Sequence, residues 1–156
     1  MGEKPVARMA SEGDAIWMLG GLYEVKVSSA ETGGRLTVVQ MTVPEGYGPP
    51  PHVHTACDET MYVLSGRVRV HMGAATTEAG PGAVFYFPRG TEEFFEPIGT
   101  ASVLASYMPG GIDNFFAEAG QAAEHRELPP VGGPPPDFER LAAIAERYDL
   151  ELKAPG

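Results

Sequence analysis

Short segments of alternating apolar residues, separated by turn-forming residues, constrain the fold of this chain more than any other feature. Gly, Pro or Asn separates most of the segments, and the chain carries 20 glycines and 15 prolines. Many short strands at close spacing with turn signals between them are typical of β-sandwiches and barrels. We therefore predict an all-β domain. Its strand segments are residues 15–19, 22–27, 36–43, 60–64, 67–72, 83–87, 93–95 and 101–107.

The charge and the cysteine count exclude several classes of partner and compartment. The 21 acidic and 11 basic residues give a net charge of −10, whereas nucleic acids and anionic membranes require a basic surface. Cys57 is the single cysteine, so an internal disulfide is excluded. The N-terminus lacks the apolar core of a signal peptide, and no apolar run is long enough to span a membrane. We expect a cytoplasmic protein that binds neither nucleic acid nor membrane.

The segment 46–66 carries two imidazoles and one carboxylate at spacings that suit a metal site. His52 and His54 are two residues apart, so both side chains point to the same face of an extended strand. Glu59 opens a second predicted strand, which is expected to end in a turn at Gly66. If that strand folds back antiparallel to the first, its carboxylate meets the two rings. Two His and one carboxylate with open positions form the ligand set of non-haem iron and related divalent-metal sites.

The same segment resembles the first motif of the cupin family, a Gly, two His, a Glu and a Gly at fixed spacing. All of its fixed positions are matched, by Gly46, His52, His54, Glu59 and Gly66. The resemblance covers about residues 13 to 118 and extends to bacterial single-domain cupins often labelled quercetinase-like. It implies a jelly-roll cupin β-barrel, followed here by C-terminal helices.

The second cupin motif is matched with one substitution at the metal site. Gly82, Pro88 and Gly90 stand at its fixed positions. Glu93 replaces the metal-binding His of the family, and Pro97 stands at the position that often holds Asn. The resemblance therefore implies His52, His54, Glu59 and Glu93 as the metal-site residues, with Glu59 and Glu93 as candidate catalytic groups.

Glu93 has three possible roles on this evidence. It is a fourth ligand, a general acid or base beside a three-ligand metal, or, if the strand register differs, a residue that faces solvent. A divalent ion held by two Glu and two neutral His forms a neutral centre, which favours hard metals such as Mn(II) or Fe(II). We expect one divalent ion, with Fe, Mn, Ni and Zn as candidates. Without an ion, two buried carboxylates repel, and at least one pKa rises.

Strand alternation also predicts the walls of the pocket. Phe95 shares a strand face with Glu93, and Met61 and Val63 share one with Glu59, so these three are predicted to line it. Tyr47 precedes the His strand and is predicted to form the rim. The other two histidines, in the segments 67–71 and 124–127, are expected to face solvent.

The chain is divided into three regions by its composition. Residues 1–12 are predicted to form a polar, loosely held arm, and residues 13–110 the cupin barrel. Residues 111–156 are predicted to form a helical extension that includes a Pro-rich linker at 128–136.

Two amphipathic helices are predicted in this extension. Ile112, Phe115, Phe116 and Ala119 recur at helical spacing. Asp137 is a good N-cap for a second helix, whose apolar residues are Phe138, Leu141, Ala142, Ile144, Ala145 and Tyr148. We expect that helix to pack on the barrel or on a second subunit, and a lid over the barrel mouth is the alternative. A homodimer is predicted because the apolar faces need burial.

Three classes of function follow from the resemblance. The first is a metal-dependent dioxygenase that acts on a flavonol-like aromatic molecule, and it is narrowly favoured. The second is a redox-neutral cyclase, isomerase or lyase, of which a polyketide cyclase is an example, in which the metal and Glu93 move a proton. The third is a non-catalytic barrel that binds a small molecule. Fold alone does not decide among them, because one fold hosts many chemistries.

Overall fold

The computed structural model describes residues 3–154, which form ten β-strands and two α-helices. Residues 1 and 2 of the predicted arm and 155 and 156 of the predicted extension lie outside the described residues. The strands are β1 (Ala15–Met18), β2 (Gly21–Val27), β3 (Thr37–Val43), β4 (His52–His54), β5 (Asp58–Met72), β6 (Ala75–Ala79), β7 (Val84–Phe87), β8 (Glu92–Met108), β9 (Gln121–Ala122) and β10 (Leu150–Leu152). The helices are α1 (Ile112–Ala119) and α2 (Phe138–Glu146).

The strands form one strongly curved antiparallel jelly roll, which confirms the predicted fold class. Their order along the sheet is β10-β4-β8-β3-β2-β1-β9, and β5 pairs with β6, β7 and β8. The long strands β5 and β8 run beside each other almost from end to end, from Asp58 opposite Met108 to Met72 opposite Glu93. This shared pair joins both layers of the roll and places residues from distant parts of the chain on one inner face.

β5 is continuous where the sequence pattern predicted a turn. Gly66 does not end the strand but lies at a bulge, where the pairing register with β8 shifts on both sides of Ser65. Gly66 has a φ of 75°, and a Cβ there would lie 2.4 Å from the Thr100 carbonyl oxygen. Only glycine fits this close approach, and the bulge bends the strand instead of ending it. β8 likewise joins the predicted segments 93–95 and 101–107 into one strand.

The core is built from alternate residues of the strands. In β3, Val39, Met41 and Val43 are buried, whereas Gln40 and Thr42 between them are only half-buried. This period of two follows from the pleat of a strand, whose successive side chains point to opposite faces. The inward set of all strands forms a single apolar cluster that the two helices complete.

The C-terminal extension folds back over one end of the barrel. We call α1, α2 and β10 the C-terminal cap. Helix α1 begins and ends as its apolar spacing predicted, and Asp137 caps α2 by accepting a hydrogen bond from the Arg140 amide at 3.1 Å. The apolar faces of both helices are buried within the chain, chiefly through Phe115, Phe116, Leu141, Ile144 and Ala145. These faces therefore do not themselves require a second subunit, and the homodimer stays a prediction.

The segments flanking the barrel are exposed but partly anchored. The arm, predicted to be loosely held, is tied down because Arg8 pairs with Glu31 and the Lys26 ammonium donates to backbone carbonyls of residues 9, 10 and 12. The Pro-rich linker has neither helix nor strand. Among the described residues, no helix is long and apolar enough to cross a membrane.

Candidate metal centre

Three strands bring four buried ligand-type side chains to one point inside the barrel. His52 and His54 lie on β4, Glu59 near the start of β5, and Glu93 near the start of β8. β4 pairs with β8, where His52 stands opposite Glu93. The sequence suggested that the strand of Glu59 folds back on the His strand. The two strands do not pair with each other, and β8 pairs with both instead. All four residues are at most 8% exposed.

The four side chains are close enough to share one ion. Each residue of this four-residue cluster offers one ligand atom, and these atoms all lie within 4.8 Å of one another. His54 Nε2 lies 3.2 Å from Glu59 Oε1, and His52 Nε2 lies 3.6 Å from Glu93 Oε1. Ligands on opposite sides of a metal ion, each about 2.0–2.2 Å from it, are separated by about 4 Å, so the cluster has suitable dimensions.

A backbone contact orients His52 for metal binding. Its Nδ1 lies 2.9 Å from the carbonyl oxygen of Pro50, a group that only accepts hydrogen bonds. The neutral ring therefore carries its proton on Nδ1 and presents the lone pair of Nε2 to the cluster. Metal-ligating histidines commonly use their second nitrogen in this way, which fixes both the tautomer and the ring orientation.

When no ion is bound, the four residues differ in pKa, and therefore in which of them carry a proton at neutral pH. Burial, together with the neighbouring His54, lowers the pKa of His52 to about 4. Burial also acts to lower the pKa of His54, but its contacts with Cys57 and Glu59 outweigh this and raise it to about 9. Burial and the adjacent Glu59 carboxylate raise the pKa of Glu93. Burial opposes ionisation of Glu59 as well, yet its contacts with His54 and Glu93 lower its pKa.

A divalent ion would suit this cluster in two respects, the charge that the cluster carries and a buried oxygen that has no hydrogen-bond partner. At neutral pH the metal-free cluster holds about two protons, one on His54 and one on Glu93, and is electrically neutral overall. A divalent ion that replaces both protons leaves that net charge unchanged. Glu59 Oε1 is moreover buried without a hydrogen-bond partner, because its contact with His54 lacks hydrogen-bond geometry. An ion would satisfy this oxygen, whereas an unpaired buried carboxylate oxygen is destabilising.

A narrow apolar cavity of about 50 Å³ opens above the cluster. Besides the cluster, its wall consists of residues from the barrel and the C-terminal cap: Met18, Leu19, Tyr23, Met41, Pro49, Pro50, Phe95, Tyr107, Ile112, Phe115, Phe116, Leu141, Leu150 and Leu152. The volume is well below the 300–1,000 Å³ of pockets that enclose drug-sized ligands. In this conformation the cavity admits a few water molecules but no multi-ring molecule.

The predicted pocket residues take different positions. Phe95 lies in the cavity wall, beside the cluster. Met61 and Val63 are on the inner face with Glu59 but lie deeper in the core, and they do not line the cavity. Tyr47 does not line it either, because its ring packs over Gly20 in the β1–β2 turn and stays 49% exposed. His71 bonds Glu96 and Thr76 outside the barrel, and His125 is exposed.

Two tyrosines of the cavity wall have no counterpart in the sequence motifs. The Tyr107 ring lies 5.3 Å from that of His54, centroid to centroid. Burial, with the nearby Glu59 and Glu93 charges, raises the pKa of Tyr107. Tyr23 on β2 is the second. Both lie in segments predicted as strands, but no sequence signal distinguished them from ordinary core residues.

A second cavity of about 200 Å³ adjoins the first on the far side of His54 and Ile112. Its wall is more polar and includes Cys57, Asn114 and Arg147. Arg147 and Tyr148 already bind Glu118 there, so the polar groups of this second cavity are largely engaged within the chain.

Residues 39–105 match the family described as "Cupin domain". In sequence, the chain is 23% identical over 155 residues to quercetin 2,3-dioxygenase from Bacillus subtilis (strain 168). That alignment covers 99% of this chain and 46% of the relative, so this chain spans about half the length of the dioxygenase.

Solved structures share the fold at low sequence identity. KdgF from Halomonas sp. superposes with a TM-score of 0.62 at 20% identity, over 69% of this chain and 97% of that protein. Pac13 from Streptomyces, a nucleoside dehydratase, superposes with a TM-score of 0.58 at 17% identity, over 71% of this chain and 88% of that protein. Likeness at this level establishes the fold alone, since one fold hosts many chemistries.

Proposed function

This chain belongs to the cupin superfamily, and we propose that it is a metal-dependent enzyme that acts on a small aromatic or polyketide-like molecule by dioxygenase chemistry. The observation that carries the proposal is the four-residue cluster of His52, His54, Glu59 and Glu93, with a buried Glu59 oxygen that has no hydrogen-bond partner among the described residues. The sequence likeness to a quercetin dioxygenase supports the reaction class, although this chain spans only 46% of that enzyme.

Each cluster residue has a distinct part in holding the ion. His52 and His54 offer neutral nitrogens, and the Pro50 carbonyl keeps the His52 ring in its orientation. Glu59 and Glu93 balance the charge of the ion. When bound, a divalent ion would act as a Lewis acid toward substrate oxygens and, if redox-active, as a partner for O₂. Two His and two carboxylates suit iron or manganese better than softer ions.

The cavity wall indicates the kind of substrate. Aromatic and aliphatic side chains dominate it, so an apolar ring would be favoured, while oxygens on that ring would face the cluster. The same wall keeps bulk water from the reacting atoms, which strengthens electrostatic interactions at the cluster. The small volume favours a single-ring substrate, or a larger one that displaces part of the C-terminal cap.

Metal analysis and oxygen uptake test this proposal together. Protein purified without added metal is expected to hold about one divalent ion per chain, measured by elemental analysis. Iron- or manganese-loaded protein is then expected to consume O₂ with an aromatic enol such as quercetin, followed with an oxygen electrode. The His52→Ala, His54→Ala double variant is the control for metal-dependent uptake. A loaded protein that turns over an aromatic substrate without consuming O₂ would exclude the dioxygenase.

One observation favours a second candidate, a redox-neutral cyclase, isomerase or lyase. The pKa of Glu93 is raised by burial and by the adjacent Glu59 carboxylate, so Glu93 is able to carry a proton at neutral pH. A positioned carboxyl of this kind is a general acid or base. The nucleoside dehydratase Pac13 has the same fold, which is compatible with redox-neutral chemistry in such a barrel. Product formation under nitrogen would favour this candidate over the dioxygenase.

A further inference from the structure

The hydroxyl of Tyr23 is buried in the cavity wall and has no hydrogen-bond partner. Tyr23 lies on β2 and is only 1% exposed. Its ring packs against Phe116 of α1, with 5.1 Å between the ring centroids. A buried hydroxyl without a partner destabilises a folded protein, so native structures rarely leave one unpaired.

Two other aromatic donors are partnered. The Tyr148 hydroxyl donates to Glu118 Oε1 at 2.7 Å, and the Trp17 indole donates to the Glu127 carbonyl at 2.8 Å. Trp17 is itself buried, so burial alone does not leave an aromatic donor without a partner. Tyr23 is more deeply buried than Tyr148 and yet has no partner, so a packing role does not account for its hydroxyl.

Among the described residues, the Tyr23 hydroxyl makes no hydrogen bond to any acceptor of the cavity wall. Outside the four-residue cluster, the described wall residues are apolar except for Tyr23 and Tyr107. Burial raises the pKa of Tyr23, so the hydroxyl keeps its proton and is a donor. β2 pairs with β3, and β3 and β4 pair with β8 at its two ends, so that Tyr23 and the cluster line the same cavity. An acceptor for Tyr23 would therefore be an atom of a ligand in this cavity.

We propose that Tyr23 determines substrate specificity: its hydroxyl donates a hydrogen bond to a ring oxygen of an aromatic ligand that does not itself bind the cluster. The ligand class rests on the proposed function, whereas the role of Tyr23 rests on its unpartnered hydroxyl. The predicted ligand has an apolar ring with oxygens at two positions. One position binds the cluster and the other accepts a hydrogen bond from Tyr23.

Two single-ring probes test this role, and each is expected to enter by displacing part of the C-terminal cap. Both ortho-hydroxyacetophenone and resacetophenone carry an adjacent carbonyl and hydroxyl, and only resacetophenone has a further hydroxyl at the opposite end of the ring. Their dissociation constants are measured by calorimetry under nitrogen, with metal-loaded and with metal-free protein. The parent protein is expected to bind resacetophenone about threefold to tenfold more tightly, which corresponds to one neutral hydrogen bond.

The Tyr23→Phe variant is expected to lose this preference, so that the ratio of the two constants falls to about one. Tyr148→Phe is the matched control, because it removes a hydroxyl outside this cavity, and it is expected to keep the ratio. In urea unfolding, Tyr23→Phe should keep or raise the parental midpoint, because no protein contact is lost and an unpartnered buried hydroxyl is removed. Tyr148→Phe should lower the midpoint because it loses the bond to Glu118.

Three results would overturn the inference. The first is a ratio that Tyr23→Phe leaves unchanged, and the second is a fall in its urea midpoint like that of Tyr148→Phe, which would reveal a structural partner. The third is a parent protein that binds neither probe, which would refute the ligand class. If the ratio falls to one but no turnover is found with any substrate, Tyr23 keeps its role and the proposed reaction fails.

Discussion

Two buried carboxylate clusters in this barrel differ in how their oxygens are satisfied. Asp113, in the first turn of α1, accepts hydrogen bonds from the Ser29 amide and hydroxyl at 3.1 Å and from the Thr37 hydroxyl at 2.7 Å. Both of its oxygens are thus engaged by neutral donors. In the four-residue cluster, a Glu59 oxygen has no hydrogen-bond partner, and Glu93 lies beside that second acid.

The difference distinguishes a cluster that is satisfied within the chain from one that is not. The Asp113 cluster fastens α1 to the turn before β3. The four-residue cluster could hold an ion, and one of its oxygens is buried without a hydrogen-bond partner among the described residues. Buried polar groups are normally paired, so this oxygen at the floor of a cavity supports the proposed metal site.

The largest expected effect is the loss of metal from the four-residue cluster. His52→Ala combined with His54→Ala is expected to reduce the metal content from about one ion per chain to none, because two of the four ligands are gone. Elemental analysis measures this, and circular dichroism checks that the barrel stays folded. His71→Ala is the matched control on the outside of the barrel and should keep the ion. Unchanged metal content in the double variant would contradict the assignment.

Glu93→Gln separates the two roles of that carboxylate. If Glu93 transfers a proton, the variant keeps its metal and loses about 10²–10⁴ in rate. If Glu93 is a ligand, metal content falls, because a neutral amide is a poorer ligand than a carboxylate. Glu92→Gln, on the exposed side of the same strand, is the control. Should neither quantity move, Glu93 is outside the site. Glu93→His would rebuild the usual three-His site and shift metal preference toward softer ions.

Metal affinity is expected to rise with pH through the neutral range. The raised pKa values of His54, about 9, and of Glu93 mean that an ion must displace a proton from each of them. Each proton released changes the affinity by about tenfold per pH unit below the relevant pKa, so the rise would approach a hundredfold per unit. Titration calorimetry in buffers of different ionisation enthalpy counts these protons. An affinity that does not change with pH would contradict the proton assignment.

Asp113→Ala tests the Asp113 cluster, the second of the two clusters compared above. The variant leaves the Ser29 and Thr37 donors unpaired and is expected to lower the free energy of unfolding by about 1–3 kcal/mol. Metal content should stay at about one ion per chain, because Asp113 lies outside the four-residue cluster. Urea unfolding and elemental analysis measure the two quantities. A variant that lost metal without losing stability would contradict the assignment of Asp113 to a structural cluster that is separate from the four-residue cluster.

Much of the site was predictable because it is encoded locally. The spacing of His52 and His54 fixes their common face on any strand, and the turn motif around Pro88 and Gly90 sets the position of Glu93 on the next one. Most of the strands and α1 followed from alternation and helical spacing, whereas β6, β9 and β10 were not predicted. These signals depend on neighbours within a few residues of each other, so a single sequence contains them.

The rest depends on contacts between distant segments. Nothing near Gly66 distinguishes a bulge from a turn, because the deciding contact is with the Thr100 carbonyl across the sheet. Met61 and Val63 share a face with Glu59, but their depth below the cavity depends on what covers them. The position of Leu150 and Leu152 beside the His strand also has no local signal. Tyr23 stands out only once its hydroxyl is seen to lack a partner.

The pairing of β10 with β4 has a consequence for the order of events in synthesis. β4 spans residues 52–54, and its neighbours are β8 on one side and β10, at residues 150–152, on the other. Domains generally fold as they emerge from the ribosome, N-terminal part first. The strand with both imidazoles thus gains its second neighbour only when residues 150–152 have been translated. Capture of the proposed ion is therefore expected to follow that point, and nascent chains that lack these residues should be metal-poor.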